Sequence, residues 1–123
     1  MKIILSFSLI VLLASCGSNA QTDKDKGYVD VDKTELPALI EAGAILLDVR
    51  TPEEIADGKI DGALTINFYD EDFAQQIETI SKDATVVVYC KSGGRSSEAS
   101  KLMSESGWDN VYNLLGGYTD YSK

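Results

Sequence analysis

Thr85-Val-Val-Val-Tyr-Cys90-Lys-Ser-Gly-Gly-Arg-Ser96 is the stretch on which the reading of this chain turns. Thr85 to Tyr89 is an uninterrupted β-branched and aromatic run, as expected for a strand covered on both faces. Cys90 closes it. Two glycines let the backbone curl tightly and point successive N–H groups inward. The helix expected from Ser96 to Ser106 adds the positive end of its dipole. Lys91 and Arg95 add two formal charges. Each of these favours a thiolate over a thiol. The same N–H groups can cradle the anionic part of a substrate. A nucleophile activated in this way needs no histidine, and the chain has none. The plainer reading is a small buried cysteine ending a core strand, since free cysteine is among the most buried residue types. That reading leaves the glycine pair, the two cations and the following helix without a purpose.

Outward from this loop, strand and helix signals alternate. Tyr28 to Val31 reads as a short strand. Asp32 with Glu35 three residues on predicts a helix start, with Leu36, Leu39 and Ile40 on one face and Gly43 as its stop. Ala44 to Val49 is a second continuous apolar run. Thr51-Pro52-Glu53-Glu54 is a capping box with proline at the first helical position, and Gly58 keeps that helix short. Ala63 to Asn67 reads as a third strand. Phe73, Ile77 and Ile80 give a helical face between Asp70 and Ser81. Ala99, Leu102 and Met103 line one side of the helix from Ser96, and Gly107 ends it. Asn110 to Leu115 is the last strand, with Trp108 and Tyr112 read as core or strand positions. Asp120 to Lys123 leaves room for one further turn. Five strands alternating with helices predict an α/β domain with a mostly parallel five-stranded sheet and helices on both faces. Ligands in such sheets bind beyond the carboxyl ends of the strands, where Asp48-Val49-Arg50 and Cys90 to Arg95 both lie.

In combination these motifs are specific. Cys90-Lys-Ser-Gly-Gly-Arg-Ser96 resembles the active-site loop of single-domain rhodaneses. Leu47-Asp48-Val49-Arg50, with Glu53, Gly58, Ile60, Gly62-Ala63 and Ile66-Asn67, is similar to that family's first signature. Asn110 to Leu114 with Gly116-Gly117 is similar to its closing strand and turn. The resemblance implies one rhodanese-like domain over residues 28–123, working without a cofactor. It also implies a mechanism. Cys90 attacks the outer sulfur of a donor such as thiosulfate, becomes a persulfide, and yields that sulfur to cyanide or a thiol. The N–H groups of Lys91, Ser92, Gly93, Gly94, Arg95 and Ser96 then hold the persulfide, and Lys91 and Arg95 neutralise the donor. Asp48 and Arg50 stand where they could line the mouth of the pocket; they are read instead as structural support, with Arg50 paired to an acid to fix the loop after the strand. The chain departs from the family at Lys59, where histidine is frequent, and at its end, where Tyr118 or Tyr121 replaces the usual tryptophan.

Two other classes are weighed against this one. A phosphatase-type cysteine loop needs five residues between cysteine and arginine to seat a tetrahedral oxyanion; here four intervene, Lys91 to Gly94. A module that only binds a partner protein has no need of a nucleophile, and this chain keeps Cys90; a persulfide carrier that hands sulfur to a partner protein, without independent turnover, keeps the same loop.

Composition bounds the rest. A chain of 123 residues makes one domain. A formal charge of -9 disfavours nucleic acid and anionic surfaces. With no histidine and two cysteines, Cys16 and Cys90, no metal site is expected. Lys2 followed by the apolar run Ile3 to Leu13 reads as a secretory leader, too short to span a bilayer comfortably. Leu13-Ala14-Ser15-Cys16 resembles the lipobox of bacterial lipoproteins. It implies a leader over residues 1–15, a lipidated Cys16, and a chain anchored to the cell envelope through that lipid. Residues 16–27 then form a polar tether.

Overall fold

The computed structural model describes residues 26–123. The expected leader, the lipidated Cys16 and nearly all of the tether lie outside the described residues. The elements are β1 (Val29–Val31), α1 (Leu36–Glu41), β2 (Ile45–Asp48), α2 (Pro52–Ala56), β3 (Leu64–Thr65), α3 (Phe73–Gln76, continued by a 3-10 turn Ile77–Thr79), β4 (Val86–Tyr89), α4 (Gly94–Glu105), β5 (Val111–Leu114) and α5 (Gly117–Tyr121). The sheet has the order β1-β5-β4-β2-β3, and every pairing is parallel. The expected α/β class and five strands are observed, and the sheet is wholly rather than mostly parallel.

Strand β4 is central because nothing in it needs water. All four of its residues are buried. Alternation sends Val86 and Val88 with Cys90 to one face, where they join Phe73, Ile77, Ala99, Met103 and Trp108. Val87 and Tyr89 go to the other, with Leu36, Ile60 and Leu114. The two clusters place helices on both faces. Ile45 to Asp48 pair in register with Val86 to Tyr89, so the chain leaves β2 and β4 side by side at the carboxyl edge. That juxtaposition positions the site.

Boundaries differ from the expectations for identifiable reasons. Asp32 does not cap α1. It accepts from Thr34 N at 2.8 Å, and its own N–H donates to Glu35 at 2.9 Å, closing a turn; the helix starts at Leu36 with Pro37 in its first turn. Proline lacks an N–H and suits that position only. Helix α4 begins at Gly94 rather than Ser96, because Gly93 takes a left-handed conformation (φ 113) at the N-cap. Strand β3 shrinks to two exposed residues at the sheet edge. The last helix follows β5 directly, so Asp120 lies inside it.

Candidate active site

Cys90 directly follows β4 at 1% exposure, with its side chain at the foot of the Gly-rich loop. Gly93 N donates to Sγ at 3.1 Å, and Ser96 Oγ lies 3.4 Å from it. Burial pushes the thiol up. Hydrogen bonds in the loop, those from the backbone N–H groups of Ser96, Gly93 and Ser92 among them, more than offset that and leave the thiol below its ordinary value. Among the described residues it is the only cysteine, and it is free.

The expected loop is thus assembled around one sulfur atom. Lys91 and Ser92 are exposed at its rim, Gly93 supplies the turn, and Gly94, Arg95 and Ser96 are the first residues of α4. Arg95 turns back and grips α2. Its Nη1 and Nη2 donate to the two carboxylate oxygens of Glu54 at 2.7 and 2.8 Å. Glu54 also completes the Thr51 capping box. The Arg95 guanidinium and these hydrogen bonds hold Glu54 down to about 2. Arg95 therefore does not confront an incoming anion as a free charge, unlike the expectation for it. Tyr69, exposed, presents its ring 5.4 Å from the same guanidinium.

Asp48 and Arg50 meet on the other face of the β2 terminus. Arg50 Nε donates to Asp48 at 3.0 Å and Nη2 at 2.7 Å, with both residues buried. Arg50 Nη2 also donates to Gly58 O at 2.8 Å, and the guanidinium lies 4.3 Å from the Tyr118 ring and 5.6 Å from that of Tyr89. Burial and the hydrogen bond to Asp48 raise the Tyr89 hydroxyl well above its usual range. The pair braces the turn into α2. Arg50 shares a cavity of about 230 Å³ with Lys91, Tyr118 and Thr119, which opens beside the loop.

The chemistry available here is that of a buried, hydrogen-bonded thiol at a helix start with one exposed cation beside it. No group of three His, Cys, Asp or Glu that could hold a metal comes together among the described residues. Comparison with known proteins gives this arrangement its place: the rhodanese-like domain family matches residues 32–123. The chain belongs to the rhodanese-like family. A sulfurtransferase of Allochromatium vinosum is 38% identical over 79 residues, 64% of this chain and 72% of that protein. Chloroplastic thiosulfate sulfurtransferase 16 of Arabidopsis thaliana is 33% identical over 95 residues, 69% and 79% of the two chains. A human single-domain sulfurtransferase superposes with a TM-score of 0.62 at 30% identity, covering 76% of this chain and 94% of its own.

Parts of this rhodanese-like site have contacts that local sequence does not announce. Glu54 caps its helix as the Thr51 box predicts, and its second task as partner of Arg95 has no local signal. Gly117 packs against the loop from below: Tyr118 N donates to Cys90 O at 2.9 Å and Thr119 N to Lys91 O at 3.0 Å. Asn113 touches Ser96. A buried asparagine in the apolar strand Val111–Leu114 was the available signal, because such a group must find partners.

Proposed function

We propose that the chain is a sulfurtransferase that carries sulfane sulfur on Cys90. The thiolate attacks the outer sulfur of thiosulfate, the S–S bond breaks, and sulfite leaves with the bonding pair. Cyanide or a thiolate then attacks the terminal sulfur of the Cys90 persulfide, giving thiocyanate or a new persulfide and restoring the Cys90 thiolate. The observation that carries this reading is the sulfur itself, enclosed by Gly93 N–H and Ser96 at the start of α4. Four residues separate it from Arg95, a loop sized for one sulfur atom. A persulfide can accept the same N–H groups without moving the loop. Thiosulfate sulfurtransferases among the relatives support the donor class.

Purified protein treated with thiosulfate gains the mass of one sulfur atom on Cys90, and Cys90→Ser gains none and loses thiosulfate:cyanide turnover. Turnover surviving in that variant refutes the assignment. A wild-type protein that takes up sulfur but does not turn over with cyanide or small thiols is a carrier for a protein acceptor.

The location belongs to the same proposal. Residues 1–15 serve as a leader, Cys16 is lipidated, and the domain of residues 28–123 hangs from the cell envelope on a short tether. Fatty-acid labelling of cells tests this: Cys16→Ala abolishes incorporation, and equal labelling of wild type and variant rules out the anchor.

A further inference from the structure

Cys90 stands at the end of a chain of side-chain hydrogen bonds that crosses from β4 to the edge strand. Asn113 Nδ2 donates to Asp30 Oδ1 at 3.0 Å. Asn113 Oδ1 lies 2.6 Å from Ser96 Oγ, which lies 3.4 Å from Cys90 Sγ. The register of β1 on β5 sets this up, since Asp30 and Asn113 are Cα partners. Asn113 and Ser96 are buried.

The directions of these bonds follow from the donor inventory. A carboxylate only accepts. Asp30 therefore takes the Asn113 amide N–H and aims the Asn113 carbonyl at Ser96. A flipped amide would set two oxygens face to face. The aimed carbonyl takes the single hydroxyl proton of Ser96, for which Gly93 O at 3.1 Å is a weaker claimant. With its proton committed, Ser96 Oγ accepts from Cys90, and only a protonated sulfur can donate. An ionised sulfur needs the same hydroxyl proton for itself. Ser96 must then turn away from Asn113, leaving a buried carbonyl unpaired, which is costly.

We propose that Asp30 and Asn113 are positioning residues for the Cys90 sulfur: by aiming one carbonyl at Ser96 they compete with the sulfur for one hydroxyl proton and restrain the free thiol from ionising. This rests on Cys90 being the sulfur-carrying group. Its consequence is a thiol less open to oxidation between turnovers, because oxidation follows thiolate character. The charged groups around Cys90 are otherwise accounted for. Arg95 of α4 is held by Glu54 of α2, Asp48 and Arg50 at the end of β2 hold each other, Lys26 lies on Asp30, and Lys91 stands exposed in the loop.

The test is the ultraviolet thiolate absorbance of the full, unlipidated chain against pH, with the titration of Cys90→Ser subtracted to remove Cys16 and the tyrosines. Asp30→Ala frees the Asn113 amide to flip, and Asn113→Leu removes the competing carbonyl. Each is expected to show about fivefold more thiolate than wild type at a pH below the midpoint, the worth of one hydrogen bond. Asp30→Asn still offers a carbonyl to Asn113 and is expected to stay within about twofold of wild type. Asn113→Leu added to Ser96→Ala is expected to change nothing further. Asp30→Ala at or below the wild-type thiolate fraction overturns the proposal. So does Asp30→Asn rising as far as Asp30→Ala, since that leaves only the field of a lost charge. Should Asn113→Leu fail to fold, the two Asp30 variants decide alone. The titration reads Cys90 whether or not it moves sulfur. Failure of wild-type turnover therefore counts against the proposed function and leaves this ordering of variants to be judged separately.

Discussion

Replacing Gly117 by alanine would drive a methyl group into the backbone that carries the nucleophile. Gly117 opens α5 at φ 54, and a Cβ there overlaps Cys90 O and lies 2.7 Å from the carbonyl carbon and oxygen of Lys91. Ordinary carbon contacts begin near 3.5 Å, so helix or loop must give by about 0.8 Å. The left-handed backbone adds about 1 kcal/mol and the overpacking about 2 kcal/mol. A destabilisation of about 3 kcal/mol lowers Tm by roughly 12–20 °C in a domain of this size. The hydrogen bonds from Tyr118 N to Cys90 O and from Thr119 N to Lys91 O sit on the atoms that must move. Gly93 N, three residues past Cys90, moves with them. Displacement approaching 1 Å at reacting groups costs about a hundredfold in turnover. Thermal denaturation followed by circular dichroism, together with thiosulfate:cyanide kinetics below the variant's Tm, reads both effects. Gly43→Ala is the control. Its φ is 98 with nothing within 4 Å of a new Cβ, so it carries the backbone penalty alone and should keep full turnover. Wild-type Tm and kcat in Gly117→Ala would show that α5 does not hold the loop.

Glu54→Gln removes the carboxylate that locks Arg95 onto α2. The folded-state value of about 2 lies below the ordinary 4.5, so the pair's stability is fully present above about pH 5 and is lost as pH falls toward about 2. With the Glu54 side chain still a quarter exposed, solvent screening leaves about 1 kcal/mol. Denaturant titrations should show that gap between wild type and variant at neutral pH, closing in acid; a gap that persists at low pH contradicts an ion-pair origin. Lys91→Ala is expected to raise the thiosulfate KM about tenfold, worth ~1.4 kcal/mol, with little loss of kcat. Added salt should shrink the difference, because Lys91 is exposed. An unchanged KM at low salt would mean that Lys91 does not meet an anionic donor.

What was legible in the sequence follows from period and local chemistry. The five strands, the helix after the loop and the place of Cys90 are each written in a run of neighbouring residues and are all observed, with β3 shortened to Leu64–Thr65 and the helix begun at Gly94. Asp48 and Arg50 also find each other, because two residues across one strand end can meet without help from the fold. The partners of Arg95 and Ser96 could not be read in that way. Glu54 is 41 residues from Arg95, Asn113 is 17 from Ser96, and Asp30 is 83 from Asn113. Only the strand order β1-β5-β4-β2-β3 brings each pair together. Counting charges along the loop therefore overstates its field. Lys91 and Arg95 are adjacent in that count, yet Glu54 neutralises Arg95, and Asp48 does the same for Arg50. Lys91 has no carboxylate partner among the described residues, so the positive mouth of the site narrows to that one exposed side chain. Activation of Cys90 then falls mainly to backbone N–H groups at the start of α4, that of Gly93 at 3.1 Å among them. A sulfur tuned by short-range donors should respond weakly to salt even where substrate capture responds strongly. kcat and KM are thus expected to separate in their ionic-strength dependence, and a thiolate fraction that falls with salt in parallel with KM would place the control back on the loop's charges.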